Sequence, residues 1–255
     1  MPLLNYQQRG QGRPLILIHG LFGSLDNLGA LGRSLEDAFQ VTSVDVRNHG
    51  KSFHSDEMHY QAMAGDVLAL MDHLGIETAS VVGHSMGGKI AMQLALTAPE
   101  RVSALVAADI APVAYRRNNH EGVFKGLSSI DPGCYDSRKA VETELAKYVL
   151  EPGVRQFILK NLQKGDQGLY WRLNVRALID NYPDILGAPE GSPYPGPTLF
   201  VKGAESDYLT ADHKEAVARL FPRAQLKVIQ GTGHWLHAEK PAVFNKLVGD
   251  FLRAN

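Results

Sequence analysis

The sequence predicts an α/β fold built on a mostly parallel sheet, and three observations carry that reading. Short β-branched or leucine-rich runs alternate with amphipathic segments over residues 15–112, the pattern of successive strand-helix units. Each run is apolar throughout and ends near Gly, Asp or His, as strands buried on both faces of a parallel sheet are. The rhythm breaks after Pro112 and resumes at residue 197, so one segment interrupts a single core. A chain of 255 residues commonly forms one such domain.

The elements follow in order. Strands are expected at 15–18 (Leu-Ile-Leu-Ile), 41–44 (Val-Thr-Ser-Val), 80–82 (Ser-Val-Val) and 104–107 (Ala-Leu-Val-Ala). The helices between them cover 25–37, 60–74 and 86–98, the last closed by Pro99, which cannot continue a helix. Residues 114–183 hold helix-like segments at 137–150 and 154–163, while 168–181 is ambiguous. The Pro- and Gly-rich stretch 189–197 reads as a return linker. A strand at 199–201, a helix over 211–220, a strand at 225–229 and a helix over 241–252 complete the chain. The core is therefore assigned to 1–113 and 197–255, and the insertion to 114–196.

Composition narrows the classes of function. A formal net charge of -1 without long like-sign blocks argues against nucleic acid or an anionic membrane as partner. A small, neutral or mildly charged ligand fits better. The single cysteine, Cys134, forms no intrachain disulfide, and no C-x-x-C or histidine cluster has metal-ligand spacing; a reducing, cytoplasmic setting is expected. No apolar run approaches the eighteen or so residues of a spanning helix, so a soluble protein is expected.

The chemistry centres on Gly83-His84-Ser85-Met86-Gly87, which joins a strand to a helix. A sharp turn there strains the central residue and lifts its side chain clear of the sheet, with glycines letting backbone pass close by. Ser85 is the candidate nucleophile. A serine hydroxyl needs a base and a group to orient that base. His234, in Gly231-Thr232-Gly233-His234-Trp235 beyond the last strand, is the candidate, ahead of His237 and of a plain loop histidine. His19-Gly20-Leu21-Phe22-Gly23 leaves the first strand as a glycine-rich turn that can aim the Leu21 or Phe22 N–H at an oxyanion. The Met86 N–H, at a helix N-terminus, supplies the second donor. An ordinary strand-to-helix turn is the bland alternative, with His19 anchoring it. For the acid, Asp109 and Asp207 both follow strand ends. Asp109 lies in an apolar stretch where an unpaired carboxylate is costly, which points to a partner.

Elbow, glycine turn and late histidine in this order resemble the α/β-hydrolase superfamily from residue 15 onward, with the insertion corresponding to its cap. Five stretches, 19–28 (HGLFGSLDNL), 45–52 (DVRNHGKS), 83–89 (GHSMGGK), 109–115 (DIAPVAY) and 231–241 (GTGHWLHAEKP), are similar to the small YbfF-type bacterial esterase branch. The resemblance implies a mostly parallel eight-stranded sheet flanked by helices, with an inserted helical cap. It implies a serine hydrolase for esters or thioesters of short or medium acyl chains, acting without metal or organic cofactor. Carbon-carbon bond hydrolysis or lysis on the same scaffold and ligand sensing are the alternatives. One departure matters: most members carry their acid where this chain has Ser206. A serine bears no charge to stabilise an imidazolium, which favours Asp109 over Asp207 and Glu205 and leaves Ser206 as an assisting hydrogen-bonder.

Other residues carry less weight. Phe22, Tyr208 and Trp235, with Phe124, Tyr170 and Trp171, are candidates to wall the acyl pocket. Asp45 and Arg47 are expected to pair structurally, and Lys89 to pack or face solvent. Arg116, Arg117, His120 and Lys125 form a local basic patch that could meet a phosphate-bearing leaving group such as coenzyme A, with a solvated face as the simpler reading.

Overall fold

The computed structural model describes residues 2–116 and 119–255, so Arg117 of the basic patch lies outside the described residues. The strands among the described residues are β1 (Tyr6–Arg9), β2 (Arg13–Ile18), β3 (Phe39–Val44), β4 (Ala79–His84), β5 (Val102–Ala108), β6 (Leu162–Gly165), β7 (Gly168–Trp171), β8 (Thr198–Gly203) and β9 (Ala224–Ile229). The α-helices are α1 (Gly29–Leu35), α2 (Tyr60–His73), α3 (Met86–Thr97), α4 (Glu121–Ser129), α5 (Arg138–Leu145), α6 (Pro152–Leu159), α7 (Val175–Asp180), α8 (Tyr182–Leu186), α9 (Lys214–Leu220), α10 (Leu236–Glu239) and α11 (Pro241–Ala254).

The main sheet runs β1-β3-β2-β4-β5-β8-β9. Every neighbouring pair is parallel except β1 with β3. Among the described residues the sheet has seven strands, not the eight expected. β1 was not legible, because Tyr6-Gln7-Gln8-Arg9 is a polar, half-exposed edge without the apolar run that marks an inner strand. Successive residues of one strand feed opposite faces: Ile16, Ile18 and Val81 pack with α2 and α3, whereas Leu15, Leu17 and Val82 pack with α1 and α11. Both faces are therefore buried, which explains the unbroken apolar runs.

The insertion between β5 and β8 is not wholly helical. The helix expected over 154–163 stops at Leu159, and Leu162–Gly165 pairs antiparallel with Gly168–Trp171. Gly168, at φ 113°, makes that tight hairpin possible. Among the described residues no helix is long and apolar enough to cross a membrane. The carboxyl ends of β4, β5 and β8, with the loop after β9, converge on one place, where ligands of open α/β sheets bind.

Candidate active site

Ser85 follows β4 directly and caps α3 with φ 53° and ψ -122°, a backbone conformation costly for a residue with a Cβ. The surroundings hold it there. Its N–H donates to Ala108 O of β5 at 3.0 Å, and its carbonyl accepts from Gly88 N–H at 2.8 Å. A Cβ on Gly83 would lie 2.0 Å from Gly87 O, and one on Gly87 would lie 2.3 Å from Ile18 O. Both glycines are thus required by contact as well as by the turn.

His234 Nε2 lies 2.9 Å from Ser85 Oγ, and its Nδ1 lies 2.7 Å from Asp109 Oδ2. Asp109 is fully buried at the end of β5, with φ 51°. Its Oδ1 accepts Gly203 N–H at 2.9 Å, and its Oδ2 also accepts the Ser206 hydroxyl. The Ser206 Oγ in turn accepts Tyr208 N–H at 3.2 Å. Ser206 therefore supports the carboxylate, not the imidazole. Tyr208 stacks on the His234 ring at 4.0 Å between centroids and 22° between planes. Of the two aspartates left open by the sequence, Asp109 bonds the imidazole; Asp207 lines the neighbouring cavity.

His237 lies in α10 rather than the last helix, and its ring sits 4.3 Å from that of His84. His84 lies 2.8 Å through Nε2 from His234 O, holding the loop that carries the candidate base. Burial, then neighbouring His237 and His234, pushes the His84 pKa well below its ordinary value. It is therefore a neutral donor.

The glycine turn is pinned by two further neutral histidines. Burial lowers the pKa of His19, and lowers that of His49 to about 3. His19 Nδ1 pairs with Gly20 O at 2.7 Å, leaving Nε2 to accept Val46 N–H at 3.0 Å. His49 Nδ1 pairs with Arg47 O at 2.9 Å, leaving Nε2 to accept Phe22 N–H at 3.1 Å. This corrects one expectation. The Phe22 amide is consumed by His49, so the donors to consider are Leu21 N–H and Met86 N–H, the latter at the first position of α3 where amides lack an intrahelical partner.

Two cavities meet at Ser85. One, of about 350 Å³, is lined by Met86, Lys89, Ile110, Tyr115, Tyr182 and Tyr208. The other, of about 360 Å³, is lined by Phe22, Val123, Val154, Phe157, His234 and Trp235. Phe22, Tyr208 and Trp235, the candidates for an acyl-pocket wall, line these cavities. Phe124 packs edge-on against Phe22, Tyr170 is exposed on the hairpin, and Trp171 donates to Ile130 O within the insertion. Arg116 lines the first cavity, His120 pairs with the Tyr182 hydroxyl, and exposed Lys125 pairs with Glu121.

The structural pairings expected of Asp45 and Arg47 take distinct forms. Arg47 makes a two-pronged contact with Asp66 at 2.6 and 2.8 Å, and Asp45 accepts the N–H groups of Leu25 and Lys51. Lys89 is neither solvated nor plain packing; it is 1% exposed and donates to Leu186 O and Gly187 O. Among the described residues no group of three or more His, Cys, Asp or Glu is placed to hold a metal ion.

A family model described as the alpha/beta hydrolase fold matches residues 13–129. Esterase YbfF of Escherichia coli (strain K12) is 39% identical over 246 residues, covering 96% of this chain and 95% of that protein. The sn-1-specific diacylglycerol lipase ABHD11 of Mus musculus is 39% identical over 246 residues, covering 93% and 80%. A solved structure titled a marine microorganism esterase shares 38% identity at a TM-score of 0.96, covering 98% of this chain and all of that one. With identity at this level over almost its whole length, the chain belongs to the α/β-hydrolase family and, within it, resembles the YbfF-type esterases.

Proposed function

We propose that this protein is a serine hydrolase that cleaves carboxylic esters or thioesters of short to medium acyl chains through an acyl-enzyme. The observation that carries the reading is the alignment of Ser85 Oγ, His234 and Asp109, with contacts of 2.9 and 2.7 Å. Ser85 Oγ attacks the substrate carbonyl while His234 Nε2 accepts its proton. Asp109 holds the imidazole by Nδ1 and stabilises the imidazolium, and Ser206 and Gly203 N–H keep that carboxylate in place. The oxyanion is received by Met86 N–H and Leu21 N–H, donors of a kind worth about 3 kcal/mol each in acyl transfer. His234 then protonates the leaving group, and water activated by the same imidazole releases the acid.

Residues 114–196 serve as the cap over this centre, since the cavities at Ser85 take walls from α4, α6 and α8. The names of the relatives, an esterase and a diacylglycerol lipase, support ester substrates. The test is hydrolysis of p-nitrophenyl esters from acetate to palmitate, with acyl-coenzyme A thioesters in parallel, by wild type and Ser85→Ala. Turnover that vanishes in Ser85→Ala and peaks at short to medium chains is expected. Equal turnover by the variant would remove Ser85 from the chemistry.

A further inference from the structure

Lys89 lies one helical turn beyond Ser85 on α3, and it is a buried lysine to which no carboxylate among the described residues is bonded. Its Nζ donates to Leu186 O at 3.1 Å and to Gly187 O. It also sits over the Tyr115 ring at 4.5 Å and near the Tyr60 ring at 5.5 Å. Leu186 and Gly187 mark the end of α8, where the chain returns from the insertion. Tyr115 belongs to the segment where the chain departs for it. These two segments are joined to each other, because Tyr115 N–H donates to the same Leu186 O at 2.9 Å. Further up the return segment, Tyr60 donates to Ile185 O, and Gln93 of α3 exchanges two bonds with the Glu190 backbone. One side-chain amine on the nucleophile helix therefore ties down both hinges of the insertion.

The contacts continue to the imidazole. The Tyr115 hydroxyl accepts Ala111 N–H at 2.8 Å and donates to Tyr208 O. Tyr208 is the residue whose ring stacks on His234. We propose that Lys89 is a positioning residue that clasps both hinges of the insertion to the nucleophile helix and, through Tyr115 and Tyr208, sets the wall against which the bound acyl group rests. The proposal deepens the hydrolase reading for its kinetic consequence; the clasp itself stands on the hinge contacts.

Burial lowers the Lys89 pKa from 10.5 to about 7. The titratable groups at its own contacts are Tyr60 from α2 and Tyr115 from the outgoing hinge. Farther along the cavity wall stand Arg116, His120, Tyr182, Asp207, Tyr208, Asp212 and His213. When the clasp opens and the amine is hydrated, its ordinary affinity for a proton returns, so above pH 7 opening takes up a proton. The clasp therefore tightens as pH rises from 7 towards 10 and is indifferent to pH below 7.

Hydrogen exchange read by mass spectrometry, corrected for intrinsic rates, tests this directly alongside kcat and KM for p-nitrophenyl butyrate. In wild type, protection of 111–116 and 182–190 rises on the order of tenfold from pH 6.5 to 8.5. Lys89→Met removes that rise, speeds exchange in those two segments alone, and raises KM about fivefold with kcat within about twofold. Unchanged hinge exchange overturns the proposal, as does faster exchange spread equally over β4 and β5, the mark of simple core destabilisation. If Lys89→Met does not fold, Tyr115→Phe keeps the clasp and cuts the link to Tyr208. It must raise KM about fivefold while 182–190 stays protected, and an unchanged KM overturns the coupling. Should wild type prove to lack Ser85-dependent hydrolysis, the exchange results still decide the clasp while the hydrolase reading falls on its own.

Discussion

Asp109 combines full burial, a left-handed φ of 51° and a carboxylate that meets Gly203 N–H, the Ser206 hydroxyl and His234. In the proposed mechanism the charge of that carboxylate stabilises the imidazolium, which an amide cannot do. Asp109→Asn is therefore expected to lower kcat by about a thousandfold to ten-thousandfold, whereas Asp207→Asn stays within about threefold. Steady-state kinetics with one short ester decides it, and equal losses would reopen the choice of acid. Ser206→Ala, which takes one donor from the carboxylate and leaves its charge, is expected to lower kcat about tenfold. At this scale Ser85 and His234 were legible because each stands in a glycine-bracketed loop beside a strand end. Asp109 was favoured over Asp207 and Glu205 without being isolated from them, because its partner lies 125 positions away. Lys89 was legible only as a packing or solvated residue for the same reason, since the carbonyls it bonds come from positions 97 and 98 residues later.

The glycine turn after β2 is an element whose shape is fixed from outside. His49, on the loop after β3, accepts the Phe22 amide, and burial, which lowers its pKa to about 3, favours the neutral form that can accept. Removing this acceptor leaves a buried N–H unpaired, at a cost of about 1–3 kcal/mol. His49→Ala is thus expected to lose about 2 kcal/mol of unfolding free energy in urea titration. In the proposed mechanism the loosened turn carries the Leu21 donor, which acts mainly on the oxyanion, so kcat falls about tenfold or more with KM little changed. A rise in KM at constant kcat would place the turn in substrate binding instead. The buried strands and the helices α2, α3 and α11 were legible from their apolar runs and their Pro and Gly punctuation. β1 and the β6-β7 hairpin were not, because a polar edge and a short surface hairpin gain their stability from neighbours that no local pattern announces. The amide of Phe22 illustrates the same limit: a glycine-rich turn offers donors, and only its packing decides which remain for a ligand.

Across the whole molecule, histidines are buried in their neutral form at several separate points. Burial lowers His49 to about 3, His120 to about 4 and His237 to about 4, with His19 and His84 shifted the same way. A histidine depressed in the folded state binds fewer protons than its unfolded counterpart below pH 6.5, so the folded state loses stability as pH falls from 6.5 towards the folded values. For a group lowered to about 4, the loss on reaching pH 4 is on the order of 3 kcal/mol. Asp66 works in the opposite sense, since burial raises its pKa despite the Arg47 contact. Three such histidines together match the 5–15 kcal/mol that holds a typical domain folded. The protein is therefore expected to unfold in mild acid, with a midpoint above about pH 4, as read by circular dichroism across a pH series. His237→Phe tests the cause. Its ring already rests against His84 and Phe244, and its buried Nδ1 has no partner among the described residues, so a phenyl ring removes a titrating group at small packing cost. The variant is expected to gain about 2 kcal/mol over wild type at pH 5 relative to any difference at pH 7. If wild type and variant instead lose stability in parallel between pH 7 and pH 4, the acid sensitivity belongs to other groups, and the cluster around His84 is hydrated rather than sealed.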